Sequence, residues 1–152
     1  MANSFNRVYI HYVFSTKNRK PLIKPKYQKR LFGYLGGIAR NNRFTLLQAG
    51  GVEDHIHLLI SLPATITVSN AVRLLKGNSS RWMNEEIFNN RRQKFQWQEG
   101  YGAFGIGQSS LDKTIRYIQD QEKHHKIMTF REEYIALLKK YKVEYNSRYV
   151  FG

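Results

Sequence analysis

The sequence predicts a single α+β domain over residues 1–152 with a ferredoxin-like (RRM-like, split β-α-β) fold. In this fold helices cover one face of an antiparallel sheet. The main observation is the order of the predicted elements, β-α-β-β-α-β, followed by additional C-terminal helices. A chain of 152 residues supports one hydrophobic core but not two comfortable domains. Apolar residues make up 41% of the chain, as in soluble globular proteins.

Alternating apolar residues predict the first strand over residues 5–14. Both faces of this strand are largely apolar, so we expect it near the centre of the sheet. A basic loop follows over residues 15–21, and it is either a solvated turn or a contact for backbone phosphates. Its polar donors are Lys17, Asn18, Arg19 and Lys20.

The next segment predicts a helix and a β-hairpin. The helix begins near Pro25, because proline suits the first helical position, and it ends at the asparagine pair 41–42. Residues 43–49 form the second strand. The glycine pair 50–51 then turns the chain into a third strand, which Pro63 ends.

The third strand contains two histidines on one face. Side chains alternate along a strand, so His55 and His57 point away from Ile56, Leu58 and Ile60. We expect the three apolar side chains to face the helices and the histidines to lie on the open face. The two imidazoles either bind one cation at about 2.1 Å from each nitrogen or are partly buried and hydrogen-bonded to neighbours.

A second helix follows Thr65 or Thr67, either of which can cap its N-terminus. Its middle, residues 76–81, is unusually polar. This segment is either the solvent face of a helix weakened by Gly77 or a patch that holds phosphates beside the histidines. The candidate donors in it are Lys76, Ser79, Ser80 and Arg81.

The C-terminal half predicts a fourth strand over residues 95–107, irregular because of its glycines. The glycines either mark bulges or let DNA approach, and Trp97 and Tyr101 offer stacking surfaces for unpaired bases. A third helix is predicted from residue 111 to about 124, and a last helix from about 131 to 140.

Charge indicates the class of partner. Lysine and arginine number 25 against 11 acidic residues, for a net charge of +14, and 14% of residues are aromatic. This balance is typical of a protein that binds a nucleic acid. No apolar run reaches the ~20 residues of a membrane helix, and no secretory signal is recognisable. Cysteine is absent, which agrees with the reducing cytoplasm where we expect the protein.

Tyr117 and Gln121 lie four residues apart, so we expect them on one face of the third helix. Alone, such a pair is usually surface packing. Beside the histidine strand, the tyrosine hydroxyl is a competent nucleophile for a phosphodiester, and the glutamine carbonyl could complete a His-His-Gln metal site. We interpret His124 and His125 as charges that favour the helix dipole rather than as ligands.

These residues resemble the motifs of the single-tyrosine HUH transposases, which include relatives of the REP-associated tyrosine transposases. These enzymes move small insertion sequences as single-stranded DNA. His55-Ile56-His57 has the form of the HUH triplet, and Tyr117 with Gln121 is similar to the catalytic tyrosine and the third metal ligand. One departure is Asn146, where an aspartate is expected. The similarity covers nearly the whole chain, including residues 51–59, 75–80, 97–104, 115–118 and 143–145.

The resemblance implies a reaction and its partners. Tyr117 would attack a phosphate, become linked to its 5′ side and free a 3′-hydroxyl. The substrate would be a single-stranded element end with a subterminal hairpin. A homodimer is implied, in which the tyrosine helix can complete the partner's site. Mg²⁺ or Mn²⁺ is the implied metal, and imidazole ligands favour Mn²⁺ or a later transition metal.

Three alternatives compete with the transposase. Conjugative relaxases and replication initiators share this chemistry but are generally larger. A domesticated HUH nuclease acting on repeated genomic palindromes would use the same residues. A non-catalytic RRM-like RNA-binding module explains the charge and the element order but not the His55 and His57 pair. Tyr101, Tyr134 and Tyr141 are alternative nucleophiles, and Tyr117 is preferred because of its glutamine partner.

Overall fold

The computed structural model describes residues 5–151, so the two ends of the predicted domain, residues 1–4 and 152, lie outside the described part. Within residues 5–151, no helix combines the length and apolar character needed to cross a membrane. The strands and helices are β1 (Val8–Ser15), α1 (Pro25–Asn41), β2 (Thr45–Val52), β3 (His55–Leu62), α2 (Val68–Glu86), β4 (Gly102–Ile106), α3 (Leu111–Gln119), α4 (Gln121–His124) and α5 (Phe130–Lys140).

The four strands form one antiparallel sheet in the order β2-β3-β1-β4. This order and the β-α-β-β-α-β sequence of elements confirm the predicted ferredoxin-like fold. As predicted, β1 lies inside the sheet, where it pairs with both β3 and β4.

The main core lies between one face of the sheet and helices α1 and α2. Ile56, Leu58 and Ile60 of β3 are fully buried there, as the alternation predicts, against Leu35 of α1 and Leu75 of α2. These helices carry their apolar residues on one side, so each buries a stripe on the sheet and leaves its polar side in water.

The opposite face was expected to be open, and this expectation is wrong. Helix α5 packs on Val13 and Phe104, and Ile118 of α3 packs on Leu59. These apolar side chains on the second face of the sheet need a cover, and the amphipathic C-terminal helices provide it. His55 and His57 are consequently 0% exposed.

The glycine pair belongs to β2 rather than to the turn that was predicted. The turn is formed by Glu53 and Asp54, and Gly50 pairs with His57. Gly50 is needed for a close approach, because a Cβ there would overlap the carbonyl oxygen of Ile118. Helix α3 therefore rests directly on the backbone of β2 beside the histidines.

Two predicted elements are broken in the structure. The fourth strand is limited to Gly102–Ile106, and Trp97 only bridges Thr16 at the end of β1. The predicted helix from 111 to 124 is split at Asp120, where the backbone (φ −93°, ψ 18°) separates α3 from α4. The last helix begins at Phe130, one residue before the prediction.

Replacing Gly50 with alanine should lower the free energy of unfolding by about 1–3 kcal/mol, because the new methyl group would push α3 away from β2. The matched control is Gly33→Ala in α1, where an added Cβ meets no atom within 4 Å. That substitution should raise stability by about 0.5–1 kcal/mol through helix propensity. Urea denaturation measures both effects, and equal stability of the two variants would contradict the close packing of α3.

Candidate active site

Elements from both halves of the chain converge on one buried carboxylate, Glu133 of α5, which is 1% exposed. Its Oε1 accepts hydrogen bonds from Nε2 of His57 at 2.9 Å and from Nε2 of His125 at 3.0 Å. Its Oε2 accepts from Nε2 of Gln121 at 3.0 Å and from the hydroxyl of Tyr117. These donors satisfy a carboxylate that would otherwise be costly to bury.

His55 lies on the other side of the cluster between two acceptors. Its Nδ1 donates to Oδ1 of Asp54 at 2.8 Å, and its Nε2 lies 3.1 Å from Oε1 of Gln121 and 3.3 Å from Oε1 of Glu133. Burial lowers the pKa of His55, but the contacts with Asp54 and Glu133 outweigh burial and raise it to about 9. Without a metal, His55 is therefore an imidazolium.

His57 is hydrogen-bonded to His11, a residue that the sequence patterns did not predict to be in the site. Nδ1 of His57 lies 2.8 Å from Nε2 of His11 on β1. Burial lowers the pKa of His57 to about 4 and that of His11 to about 3, so both rings are neutral. When His57 donates to Glu133, its Nδ1 must accept the hydrogen bond from His11.

The half-buried Tyr117 hydroxyl is neutral and is paired with the charged, buried carboxylate of Glu133. Burial raises the pKa of the Tyr117 hydroxyl, and the Glu133 carboxylate raises it further. Burial alone would also raise the pKa of Glu133, but hydrogen bonds from His125, His55 and His57 hold it well below its usual range. Glu133 is thus ionised, and Tyr117 keeps its proton and donates it in a hydrogen bond.

The donor set of this cluster fits a divalent cation. Ligand atoms of His55, His57, His125 and Glu133 all lie within 4.8 Å of one another. Asp54 fixes the ring of His55 and His11 fixes the ring of His57, as carboxylate or ring partners do behind metal-binding histidines. In both rings Nε2 is left facing the centre. Imidazoles with a carboxylate suit Mn²⁺ and later transition metals better than Mg²⁺.

The structure brings His55, His57, Tyr117 and Gln121 together, although Gln121 lies in α4 and not in the helix of Tyr117. The two side chains still meet because both donate to Oε2 of Glu133. His125 was expected to act only as a charge at the end of the helix, but the structure also makes it a candidate ligand. It contacts Glu133, as described above.

Glu133 was missed by the sequence analysis. A signal for it exists in the sequence: it lies in the buried stripe of α5, between Phe130 and Leu137. An acidic residue at such a position requires hydrogen-bond partners.

Comparison with known proteins identifies the family. The family model for "Transposase IS200 like" matches residues 4–121. The chain belongs to the IS200-like transposase family. A transposase for insertion sequence element IS200 from Salmonella typhimurium is 30% identical over 118 residues, covering 75% of this chain and 74% of that protein. The same values hold for the IS200 transposase of Salmonella typhi. The resemblance to single-tyrosine HUH transposases is thereby confirmed.

Solved structures share the fold of this transposase. A crystal structure of a transposase candidate from Deinococcus radiodurans R1 superposes with a TM-score of 0.65 at 21% identity, covering 80% of this chain and 95% of that one. A REP-associated tyrosine transposase bound to a REP hairpin superposes with a TM-score of 0.61 at 14% identity, covering 82% and 73%.

The basic loop of this transposase lies at the edge of the site. Lys17, Arg19 and Lys20 are exposed after the end of β1. The loop is held near the histidines because the amide of Thr16 donates to the carbonyl of Asp54 at 2.9 Å. The loop therefore lies next to the cluster.

The polar middle of α2 does not lie beside the histidines, so of its two interpretations the phosphate-binding patch beside them is wrong. Helix α2 packs on the other face of the sheet. Ser79 is buried and its Oγ accepts a hydrogen bond from Nε1 of Trp97, which is also buried. Nζ of Lys76 donates to the carbonyl oxygens of residues 98, 99 and 100. Ser79 and Trp97 therefore belong to the core, whereas Lys76 is half-buried and anchors the segment 98–100.

The remaining candidates are partly or fully accessible, but they are also remote from the cluster. Arg81 is exposed and donates to Asn78, and Ser80 is half-buried on the same helix. Tyr101 packs against the main core near Tyr12. Any DNA contact of these three residues lies on the face of the protein opposite His55 and His57.

The stability of the metal-free protein should depend on pH in two opposite senses. His11 and His57 have folded pKa values of about 3 and 4, below the ordinary 6.5. The unfolded chain therefore binds more protons, and stability falls as pH drops below 6.5. His55 has a folded pKa of about 9, so its contribution is lost as pH rises from 6.5 through 9. We expect a stability maximum near pH 6.5 in urea denaturation of the chelator-treated protein.

His11→Gln provides the matched comparison for this pH profile. Removing one neutral, buried histidine should reduce the slope on the acid side by about 1.4 kcal/mol per pH unit. If the pH dependence of the free energy of unfolding below pH 6.5 is unchanged in this variant, His11 is not held neutral by the fold.

Proposed function

We propose that this transposase cleaves and rejoins single-stranded DNA ends with Tyr117 as the nucleophile. The observation that carries the proposal is the direct hydrogen bond from the Tyr117 hydroxyl to Glu133, the residue that also contacts His57 and Gln121. Of the ten tyrosines in the chain, Tyr117 is the one whose predicted metal partners lie in the same hydrogen-bonded cluster.

The proposed reaction is the one that the resemblance to single-tyrosine HUH transposases implies. The Tyr117 oxygen attacks the scissile phosphorus, and its proton passes to the Glu133 carboxylate, to which it is hydrogen-bonded, as the new phosphotyrosine bond forms. The bond from phosphorus to the 3′-oxygen breaks, and that oxygen takes up a proton to become a 3′-hydroxyl. The phosphotyrosine keeps the energy of the broken bond, so a second 3′-hydroxyl can reverse the step and join a new strand without ATP.

His55, His57 and Gln121 would hold the metal, with Glu133 and His125 as further ligands from the C-terminal helices. A bound divalent cation would draw charge from the scissile phosphate. The proposed ions are Mg²⁺ or Mn²⁺, and the imidazole donors support Mn²⁺. His11 and Asp54 position the two strand histidines through their Nδ1 atoms.

The proposed substrate is a single-stranded element end that carries a hairpin. The net charge of +14 supports a polyanionic substrate, and a structural neighbour is a transposase bound to a REP hairpin. The Tyr117 helix can complete the histidine site of its own chain or that of a partner in a homodimer. Exchange of the C-terminal helices in a homodimer would preserve the same contacts, and the homodimer stays a prediction.

The RRM-like RNA-binding alternative loses support from the packing. RRM modules stack bases on the exposed face of their sheet. Here that face is covered by α3 and α5, because Val13, Leu59 and Phe104 are buried beneath them. A domesticated nuclease would share the same site and remains compatible with the geometry.

Tyr117→Phe should abolish the covalent adduct between the protein and a labelled single-stranded end, because the nucleophilic oxygen is absent. The adduct is measured as a denaturant-resistant band on a gel. Tyr101→Phe and Tyr134→Phe are matched controls that should retain adduct formation. An adduct formed by Tyr117→Phe would refute the nucleophile assignment.

Chelator treatment and His57→Ala should each reduce the rate of cleavage by at least ~100-fold while leaving hairpin binding largely intact.

A further inference from the structure

A cavity of about 450 Å³ lies directly beside Tyr117, between β4, α3 and α5. Its inner wall includes Tyr117 and His11, the partner of His57. A group in this cavity is therefore separated from the Glu133 carboxylate by a single side chain. The volume falls within the ~300–1,000 Å³ that is usual for small-molecule sites.

The charges that line this cavity suit an anion. Lys113 and Lys140 contribute two ammonium groups, and no carboxylate is among the lining residues within the described part of the chain. The ion pairs found among residues 5–151 all involve other groups, so neither lysine is neutralised by a salt bridge there.

A larger cavity on the opposite side of the cluster has a different character. It measures about 780 Å³ and is lined by Glu53, Asp54, Glu122 and Glu132 together with Arg19 and Lys126. Four carboxylates repel a phosphodiester, so the two cavities beside the cluster are not equivalent for DNA. The strand adjacent to the cleaved phosphate is favoured in the smaller, basic cavity.

An aromatic ring in the smaller cavity is suited to stacking with a nucleic-acid base. Tyr141 lines the cavity and is held by stacking on Phe104, with ring centroids 4.7 Å apart and planes at 20°. The ring is half-buried, and Nζ of Lys140 lies 5.4 Å from its centroid, so a base can reach the part of the ring that Phe104 and Lys140 leave accessible. Aromatic platforms bind bases with little sequence preference, because every base has a π-face.

We propose that this cavity is a subsite for the nucleotide next to the cleaved phosphate. Lys113 and Lys140 would contact the backbone phosphate of that nucleotide, and Tyr141 would stack on its base. The subsite rests on the proposed function of Tyr117, and it adds a binding element outside the metal cluster that fixes where the strand lies relative to the nucleophile.

The first test removes the two charges. Lys113→Gln and Lys140→Gln should each raise the KM for adduct formation several-fold with little change in kcat. Each should also reduce the slope of log affinity against log salt by about 0.7, the value for one phosphate contact on a single strand. The matched control is Lys139→Gln, which changes an exposed lysine next to Lys140 on α5 that does not line the cavity. Variants that behave like this control would overturn the phosphate contacts.

The second test measures how much each flanking base contributes to the reaction. Single-stranded ends that each contain one abasic residue, placed at successive positions around the cleaved phosphate, are compared with the intact end. The wild-type protein should lose about ten-fold in kcat/KM at one flanking position. In Tyr141→Leu that penalty should disappear, so that intact and abasic ends react alike. An equal penalty in both proteins, or none in the wild type, would overturn the stacking.

The two proposals fail in distinguishable ways. If the wild-type protein forms no adduct with any single-stranded end, the proposed function is wrong and the subsite with it. If the adduct forms but the lysine variants match Lys139→Gln and the abasic penalty is unaffected by Tyr141→Leu, the subsite alone is wrong. Because Lys113 and Lys140 are exposed, their variants test the subsite even if Tyr141→Leu fails to fold.

Discussion

The ionised carboxylate of Glu133 is the interaction on which the arrangement of the C-terminal helices depends. Burying a charge in a protein interior is costly unless hydrogen bonds compensate for lost water. Here the compensation comes from His57 on β3, Tyr117 on α3, and Gln121 and His125 in and after α4. Since the donors belong to separate elements, satisfying one carboxylate brings all of them to the same point.

The sheet provides the other half of this arrangement. Period-two alternation directs Ile56, Leu58 and Ile60 into the main core and His55 and His57 to the opposite face. That face carries enough apolar area to bind α3 and α5, and Gly50 lets α3 rest on the backbone of β2. Hydrophobic packing thus places the helices, and the polar contacts of Glu133 select their register over the histidines.

Local sequence patterns predicted most of the fold and half of the candidate site. The order of the elements and the face on which each side chain of β3 lies follow from periodicity, and His55, His57, Tyr117 and Gln121 were recognisable by type and spacing. Glu133 and His125 were not, because their role depends on a contact between α5 and β3 that no local pattern encodes. The same limit applies to Ser79 and Trp97, which look like DNA contacts in the sequence but bond to each other in the core.

Amide hydrogen exchange of the Glu133→Gln variant tests most directly whether this carboxylate holds the C-terminal helices over the histidine strand. Loss of the charged acceptor should speed exchange in α3, α4 and α5 by at least ~10-fold, while amides of α1, α2 and β1 keep their protection. Glu132→Gln, at the neighbouring exposed position where glutamine can maintain the capping box, should leave all helices protected. Unchanged protection of α3–α5 in Glu133→Gln would contradict the account.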